Sequence, residues 1–297
     1  MNENYKITFV ILHYQNIDIT KECVSYLLKL KDIDKHQIVI VDNASPNKTG
    51  EMLLKTYSHV PNITVVQSGT NGGFASGNNI GYQYAIHDLH ADIVVVMNSD
   101  LFIYDSSFIQ KLEISANEND NIAIIAPDII NARSLHQNPY MYHAYSNKKQ
   151  YKIIVKKFIG KILYSMPLLN GILIRRKAVT DVAGGSKEKN QHVQEDIIPH
   201  GACVIFLPEY TKKENQAFVP GTFLFVEEEI LYDFCKFKGY HIIYDPSLVV
   251  HHMEDGSQDY VYKNLLLKKK HQINFEIQSR ILLLNKRKEY SLSKRGK

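Results

Sequence analysis

The sequence predicts an α/β fold: a Rossmann-like, mostly parallel sheet with helices on both faces and a helical C-terminal tail. Three observations carry this. Continuous apolar runs at residues 7–12, 38–41, 63–66 and 93–97 read as buried strands. Helical patterns separate them, so four βα units fit in about 100 residues, an arrangement that demands parallel pairing and right-handed crossovers. A polar cluster follows each run, where sheets of this kind bind ligands.

The first run ends in His13-Tyr14-Gln15-Asn16, and Asp18 or Thr20 can cap a helix whose apolar side includes Cys23, Leu27, Leu28 and Leu30. The second is stopped by Asp42-Asn43-Ala44-Ser45-Pro46, before a helix over residues 49–57. After the third comes Asn71-Gly72-Gly73-Phe74-Ala75-Ser76-Gly77-Asn78-Asn79, then a helix to about His87. The fourth meets Asn98-Ser99-Asp100. Tyr14, Asp42, Asn71 and Asp100 thus each follow a strand, and four in register are difficult to ascribe to loop composition.

The second half is less regular. Tyr151, Ile154, Val155, Phe158 and Ile162 recur at helical spacing with Lys152, Lys156 and Lys161 between them, which fits a core-facing or an interfacial helix. Residues 184–195 are polar and read as a mobile loop. A strand is expected over 202–207, a helix over 227–236 and a strand over 241–244.

Composition bounds the class. With 297 residues, 44% hydrophobic and 22% charged, the chain is neither disordered nor fibrous. Cys23, Cys203 and Cys235 form no close pair, which excludes a disulfide scaffold and a Cys-rich zinc site and fits a reducing cytoplasm. No run nears the roughly 18 apolar residues of a membrane span. The start, MNENYKITFVILHY, lacks the basic opening and cleavage site of a signal peptide, so a cytoplasmic protein is expected. Charge is uneven: residues 263–297 carry eleven Lys or Arg and two Glu, net +9, against 24 and 29, net −5, in residues 1–262. The chain therefore divides into a domain over 1–262 and a basic amphipathic tail over 263–297. The tail suits a solvated helix or peripheral attachment to an anionic membrane face; nucleic acid is not expected.

Several clusters carry possible chemistry, each with a plainer reading beside it. Asp100 after a buried strand can hold Mg²⁺ or Mn²⁺, or simply close a turn. Asp42 can accept from a base edge or a ribose hydroxyl, and Tyr14 can stack on a base, although both residue types also end strands. Gly72, Gly73 and Gly77 let backbone approach a ligand, and the helix start behind them favours phosphate. The loop is neither a Walker loop nor GxGxxG. Glu227-Glu228-Glu229 follows the apolar Phe223-Leu224-Phe225-Val226, which suits a general base of raised pKa or an acidic helix cap. His251-His252 at a strand end fits a metal ligand, a phosphate donor or a core histidine.

Taken in order, FVILHYQN, VIVDNASPN, NGGFASGNN, VVVMNSD, HGACVIF, TFLFVEEEIL, GYHIIYDPSLVV and HHMEDGS resemble the family 2 glycosyltransferases of the GT-A fold, over roughly residues 5–260. The second half is most similar to the bacterial subgroup, many of them rhamnosyl- or hexosyltransferases, that builds capsular and other surface polysaccharides. The resemblance implies a nucleotide-sugar donor such as dTDP-rhamnose or a UDP-hexose, a divalent metal, inversion at the anomeric carbon and a glycan or lipid-linked acceptor at the inner face of the cell membrane. It implies that Tyr14 flanks the donor base, Asp42 binds the nucleotide, and Asn71 with Gly72, Gly77 and Asn78 forms the donor loop. Ser99 and Asp100 close a D-x-D pattern in which Asn98 replaces the first Asp. His200-Gly201 opens the acceptor-side strand. Glu228 is the implied base, with Glu227 the alternative, and His252, six residues past Pro246, joins Asp100 at the metal rather than His251. Two other classes stay in view: a nucleotidyltransferase, whose basic Gly-rich loop is absent after the first strand, and a non-catalytic glycan-binding or scaffold member of the same fold.

Overall fold

The computed structural model describes residues 5–118, 121–165, 185–253 and 265–295. The expected strands form as β1 (Ile7–His13), β2 (Gln37–Asp42), β3 (Ile63–Gln67) and β4 (Ile93–Asn98), joined by α1 (Ile17–Leu27), α2 (Thr49–Tyr57) and α3 (Gly73–His87). They pair in parallel in the order β3-β2-β1-β4. The register aligns their carboxyl ends: His13 lies opposite Asp42 and Leu12 opposite Asn98. The residues that follow, Tyr14, Asn43 and Ser99, therefore emerge at one edge.

Beyond β4 the sheet becomes mixed. It continues through β8 (Cys203–Phe206), β6 (Ile122–Asn131), β9 (His241–His252) and β5 (Leu101–Phe102), with β7 (Gln194–Glu195) on β9. β8 is antiparallel to β4 and β6, and β6 is parallel to β9. Antiparallel pairing sets the beginning of β8 beside the end of β4, Met97 opposite Cys203, and the Asn98 amide donates to the Ala202 carbonyl at 2.8 Å. β5 folds back on β9 with Leu101 opposite His252, which delivers His252 to Asp100.

Apolar residues on both sides of the sheet are covered. One cluster joins Phe9, Ile11, Ile40 and Val95 to α1, α2 and α4 (Phe108–Glu118); the other joins Val10, Val41 and Val96 to Tyr82 of α3 and Leu231 of α7 (Glu227–Lys238). α3 lies close on the sheet because Gly77 and Gly81 carry no side chain: a Cβ on Gly77 would stand 2.5 Å from Leu12 Cδ1. α6 (Pro208–Thr211) is a single short turn following β8.

α5 (Asn147–Ser165) and α8 (Leu265–Arg295) pack on one another, outside this sheet core. The sequence left α5 either core-facing or interfacial; its Tyr151, Val155, Phe158 and Ile162 are exposed. α8 is the helix of the basic tail, and it is docked. Ile273 and Leu283 are buried, Phe275 stacks on Phe223 at 4.4 Å between ring centroids, and the Ser279 hydroxyl donates to the Leu224 carbonyl at 2.9 Å. Its Arg287 is bonded to Asp233 at 2.5 Å, so part of the tail's positive charge points inward. The expected boundary at 262 lies outside the described residues, as do residues 254–257 of the HHMEDGS string. Of the polar stretch 184–195, the described part is anchored by a bridge from Ser186 to His136 and by β7. Among the described residues no helix is long and apolar enough to cross a membrane.

Candidate active site

The carboxyl edge of β1 and β4, the start of β8 and the start of α7 enclose a cavity of about 440 Å³. Tyr14, Asn71, Ser99, Asp100, His200, Gly201, Glu227 and Glu228 all line it, so residues spread from position 14 to position 228 meet in one wall. Ala202, expected with His200 and Gly201 at the acceptor-side strand opening, lines it too, as do Asn43, Phe74, Phe223, Leu224 and Phe225, which the sequence did not mark as site residues.

The remaining expected residues stand behind the wall. Asp42 is buried and accepts from the Ser45 amide at 3.2 Å, and its Oδ2 lies 2.0 Å from where a Cβ on Gly50 would sit. Its carboxylate faces the turn at Ser45 and Gly50 in the first turn of α2, and the neighbour Asn43 takes the place in the cavity wall. Asn43 is the fastener of the Gly-rich loop: its Nδ2 donates to Asn71 Oδ1 at 3.0 Å and to the Gly73 carbonyl at 3.1 Å, and its Oδ1 accepts from the Gly72 amide at 3.2 Å. An Asn directly after a strand, where its short amide can bind nearby backbone, was the available signal.

The loop behaves differently from the phosphate cradle its glycines suggested. The Gly73 amide donates to Asn71 Oδ1 at 3.0 Å and the Phe74 amide to the Phe223 carbonyl at 2.8 Å. With Gly72 bound to Asn43, the three amides that open α3 are all held by protein acceptors. The glycines serve shape instead: Gly73 has φ +79, and a Cβ there would meet the Phe223 carbonyl oxygen at 2.2 Å. Gly72, Gly77 and Asn78 lie outside the wall; Asn78 Nδ2 donates to the Phe74 carbonyl at 3.0 Å.

Beneath Tyr14, His13 is buried between the hydroxyls of Thr20 at 2.7 Å and Thr49 at 2.9 Å. Burial lowers its pKa to about 4, so it is neutral and ties α1 and α2 to the end of β1.

At the other end of the cavity, His252 Nε2 lies 3.5 Å from Asp100 Oδ1, while Nδ1 is 2.8 Å from Gln137 Oε1. The Gln137 carbonyl accepts from Nδ1–H, which turns the other ring nitrogen, Nε2, toward Asp100. Asp100 Oδ1 is buried and has no hydrogen-bond partner among the described residues. Two candidate ligand atoms 3.5 Å apart, Nε2 and that orphaned carboxylate oxygen, fit a divalent cation. Among the described residues no three His, Cys, Asp or Glu side chains gather into a metal cluster. That matches the Mg²⁺ habit of one or two protein ligands, the rest being water and phosphate oxygens. His200 stands nearby, its ring centroid 5.9 Å from that of His252; burial pushes its pKa down to about 3, and its Nδ1 accepts from the Ala202 amide at 3.1 Å.

The acidic triplet opens α7 after two strained residues, Phe225 at φ 75 and Val226 at φ 70, conformations that non-glycine side chains rarely adopt. This turn splits the triplet three ways. Glu227 points inward, is 5% exposed and has no partner for Oε1 among the described residues; burial and the charge of Glu228 raise its pKa to about 8. Glu228 is half-buried against Gly201, whose amide it accepts, and burial raises its pKa too. Glu229 points away and is bonded to Gln150 of α5 at 2.6 Å and lies 3.5 Å from Arg280 of α8. A second cavity of about 180 Å³ lies on that side, lined by Tyr140, Phe225, Val226, Glu228, Glu229, Glu276 and Arg280. Glu228 belongs to both cavities.

The family model described as glycosyl transferase family 2 matches residues 8–179, more than half of the chain. A curated relative, the low-salt glycan biosynthesis hexosyltransferase Agl10 of Haloferax volcanii, is 26% identical over 132 residues, 44% of this chain and 39% of its own length. Among solved structures, the mannosyltransferase PcManGT of Pyrobaculum calidifontis in complex with GDP-Man and Mn²⁺ superposes with a TM-score of 0.53 at 13% identity, covering 95% of this chain and 75% of that one. Residues 1–349 of TarS from S. aureus in complex with UDP-GlcNAc superpose with a TM-score of 0.52 at 14% identity, covering 91% of this chain and 66% of that one. At these identities the likeness is one of fold.

Proposed function

The chain belongs to glycosyl transferase family 2, and from that premise we propose that it is an inverting glycosyltransferase. It moves a sugar from a nucleoside-diphosphate donor to a hydroxyl of a growing surface glycan carried on a lipid. One observation carries the reading: Glu228 stands at the partition between two cavities, the larger of which has the Asp100–His252 pair in or beside its wall. The donor fills the larger cavity and the acceptor enters through the smaller.

The residues divide the work. Tyr14 offers its ring to the donor base at the β1 end. Asp100 and His252 would hold Mg²⁺ or Mn²⁺, which neutralises charge on the departing diphosphate when bound. His200, kept neutral, adds no positive charge there. The acceptor hydroxyl has a pKa far above 7 and needs a base within about 3 Å as it attacks. Glu228 is the carboxylate placed to take that proton, because it alone of the triplet borders both cavities. Glu227, its pKa raised to about 8 by burial and by Glu228, holds its proton near neutrality and so adds no second charge beside Glu228. Attack from the side opposite the diphosphate inverts the anomeric centre in one displacement, without a sugar–enzyme intermediate.

What the relatives are described as doing and binding supports a nucleotide-sugar donor. The H. volcanii protein is described as a hexosyltransferase of glycan biosynthesis, and the neighbours were solved with GDP-Man and Mn²⁺ or with UDP-GlcNAc. A UDP-hexose or dTDP-rhamnose is the proposed donor here. The test is transfer from such donors to a lipid-linked acceptor, with the anomeric configuration of product read by NMR. Inversion supports the mechanism; retention defeats it. Binding of acceptor without transfer from any donor would favour a non-catalytic glycan-binding role.

A further inference from the structure

We propose that the outward face of α5 docks on an anionic phospholipid bilayer. α5 presents a stripe of large apolar side chains to solvent: Tyr151, Val155, Phe158, Ile159 and Ile162 are each about half exposed, 46–59%. They recur along one side of the helix, the spacing of a membrane-surface helix. The helix NKKQYKIIVKKFIGKILYS contains six lysines and no Asp or Glu. Lys148, Lys152 and Lys156 alternate with Tyr151, Val155 and Ile159 in one shallow groove. Among the described residues none of these three lysines is in an ion pair.

The opposite side of α5 is fixed. Gln150 is fully buried, donates to Glu229 and is bonded to Arg280; Lys157 is bonded to Glu276, and Tyr164 is 5% exposed. The helix therefore cannot roll its apolar stripe inward without breaking the contacts that brace the acidic triplet. Charge decides the occupant. A second copy of this face would oppose lysines with lysines, whereas an anionic headgroup layer complements them and the acyl boundary accepts the stripe. The tail helix α8, whose Arg280 reaches Gln150 of α5 and Glu229 and whose Arg287 binds Asp233, serves as the brace.

The consequence for catalysis rests on the function proposed above: α5 is bonded to Glu229, beside the smaller cavity, so docking would hold the acceptor entrance toward lipid-carried glycan. The docking itself is read without catalysis. The experiment is co-sedimentation of the full chain with vesicles of phosphatidylcholine alone or mixed with phosphatidylglycerol, at low and high salt. Binding to the mixed vesicles, weakened by salt, is expected. The triple change Lys148→Gln, Lys152→Gln and Lys156→Gln lowers the partition constant about 10²-fold, since each lysine near such a surface contributes a factor of about five. Phe158→Ser with Ile159→Ser, both at the surface, also weakens binding while circular dichroism stays unchanged. Equal binding to phosphatidylcholine alone, or wild-type binding by both variants, overturns the proposal. So does a dimer that Phe158→Ser with Ile159→Ser dissociates while vesicle binding persists. A chain that binds the vesicles but transfers no sugar supports the docking surface and defeats the functional reading; an active chain that ignores the vesicles does the reverse.

Discussion

Replacing Glu228 by Gln isolates proton abstraction from everything else in the cavity. The amide keeps the size of the carboxylate and one acceptor oxygen, so the Gly201 amide retains its partner and the wall between the two cavities keeps its shape. What disappears is the capacity to accept the hydroxyl proton. Loss of a positioned base lowers turnover about 10²–10⁴-fold, which is roughly 2.7–5.4 kcal/mol of barrier at about 1.36 kcal/mol per decade. Donor affinity, set at the Tyr14 and Asp100 end, stays at its wild-type value. The assay is initial-rate transfer with saturating donor, paired with donor binding by thermal shift. The pH profile adds a second reading. Burial raises the Glu228 pKa, so the wild-type rate falls on the acid side at a pH above the ordinary carboxylate range, and the residual rate of the Gln variant lacks that limb. Glu227→Gln is the matched control. Glu227 has a pKa of about 8 and is protonated at neutral pH, so the amide mimics its existing state and transfer stays within about threefold of wild type. Near-normal transfer by Glu228→Gln, or greater damage from Glu227→Gln, would refute the reasoning.

Other perturbations reach other parts of the account. The Glu227 pKa is about 8 in the folded chain against an ordinary 4.5, so between those values the unfolded chain has lost a proton that the folded chain keeps. Stability therefore falls as pH rises across that window, by up to about 1.4 kcal/mol per unit. Glu227→Gln should flatten the fall and raise the melting temperature at pH 8 but not at pH 4. Chelation by EDTA should suppress transfer and added Mn²⁺ or Mg²⁺ restore it, and Asp100→Ala should abolish metal-stimulated donor hydrolysis; activity indifferent to EDTA contradicts the metal reading. In Gly201→Ala the new Cβ would meet Glu228 Oε1 at 2.7 Å, so the end of a flexible side chain must move. That variant should melt close to wild type yet lose about tenfold or more in turnover, the sensitivity expected when a catalytic group is displaced by a fraction of an ångström.

How far the site was legible depends on what each residue reports about its neighbours. Apolar runs bounded by polar clusters predicted β1 to β4, and the aligned ends of parallel strands made Tyr14 and Asp100 neighbours before any coordinates. The antiparallel second half was harder. β6 and β5 carried no turn signal that the reading used, and β9 runs on to His252 through a register shift between Pro127 and Asp128 of its partner. The pairing of His252 with Asp100 thus came from resemblance and is explained only by β5 lying on β9. The Gly-rich loop misled because glycine marks close approach without saying to what. Here the close neighbours are Phe223, Leu12 and Asn43 of the protein itself. Asp42 and Asn43 differ by one position, and only the turn after β2 decides which of them faces the cavity. The basic tail shows the same ambiguity: its lysines and arginines suited a solvated helix or an anionic membrane face alike, yet Arg280 lies 3.5 Å from Glu229 and Arg287 binds Asp233.

The central claim is that Tyr14 and Asp100 belong to one pocket for an activated sugar, bounded on its far side by Glu228. Thermal unfolding of the wild-type chain with UDP-, GDP- and dTDP-sugars, with and without Mn²⁺, tests it most directly. One nucleotide class should raise the melting temperature in a Mn²⁺-dependent manner, by the equivalent of about 2.7 kcal/mol at a hundredfold excess over its dissociation constant. The rise should vanish in Tyr14→Ala with Asp100→Ala and persist in Glu228→Gln. A chain whose melting point no nucleotide sugar moves, or whose shift survives loss of Tyr14 and Asp100, would contradict the account.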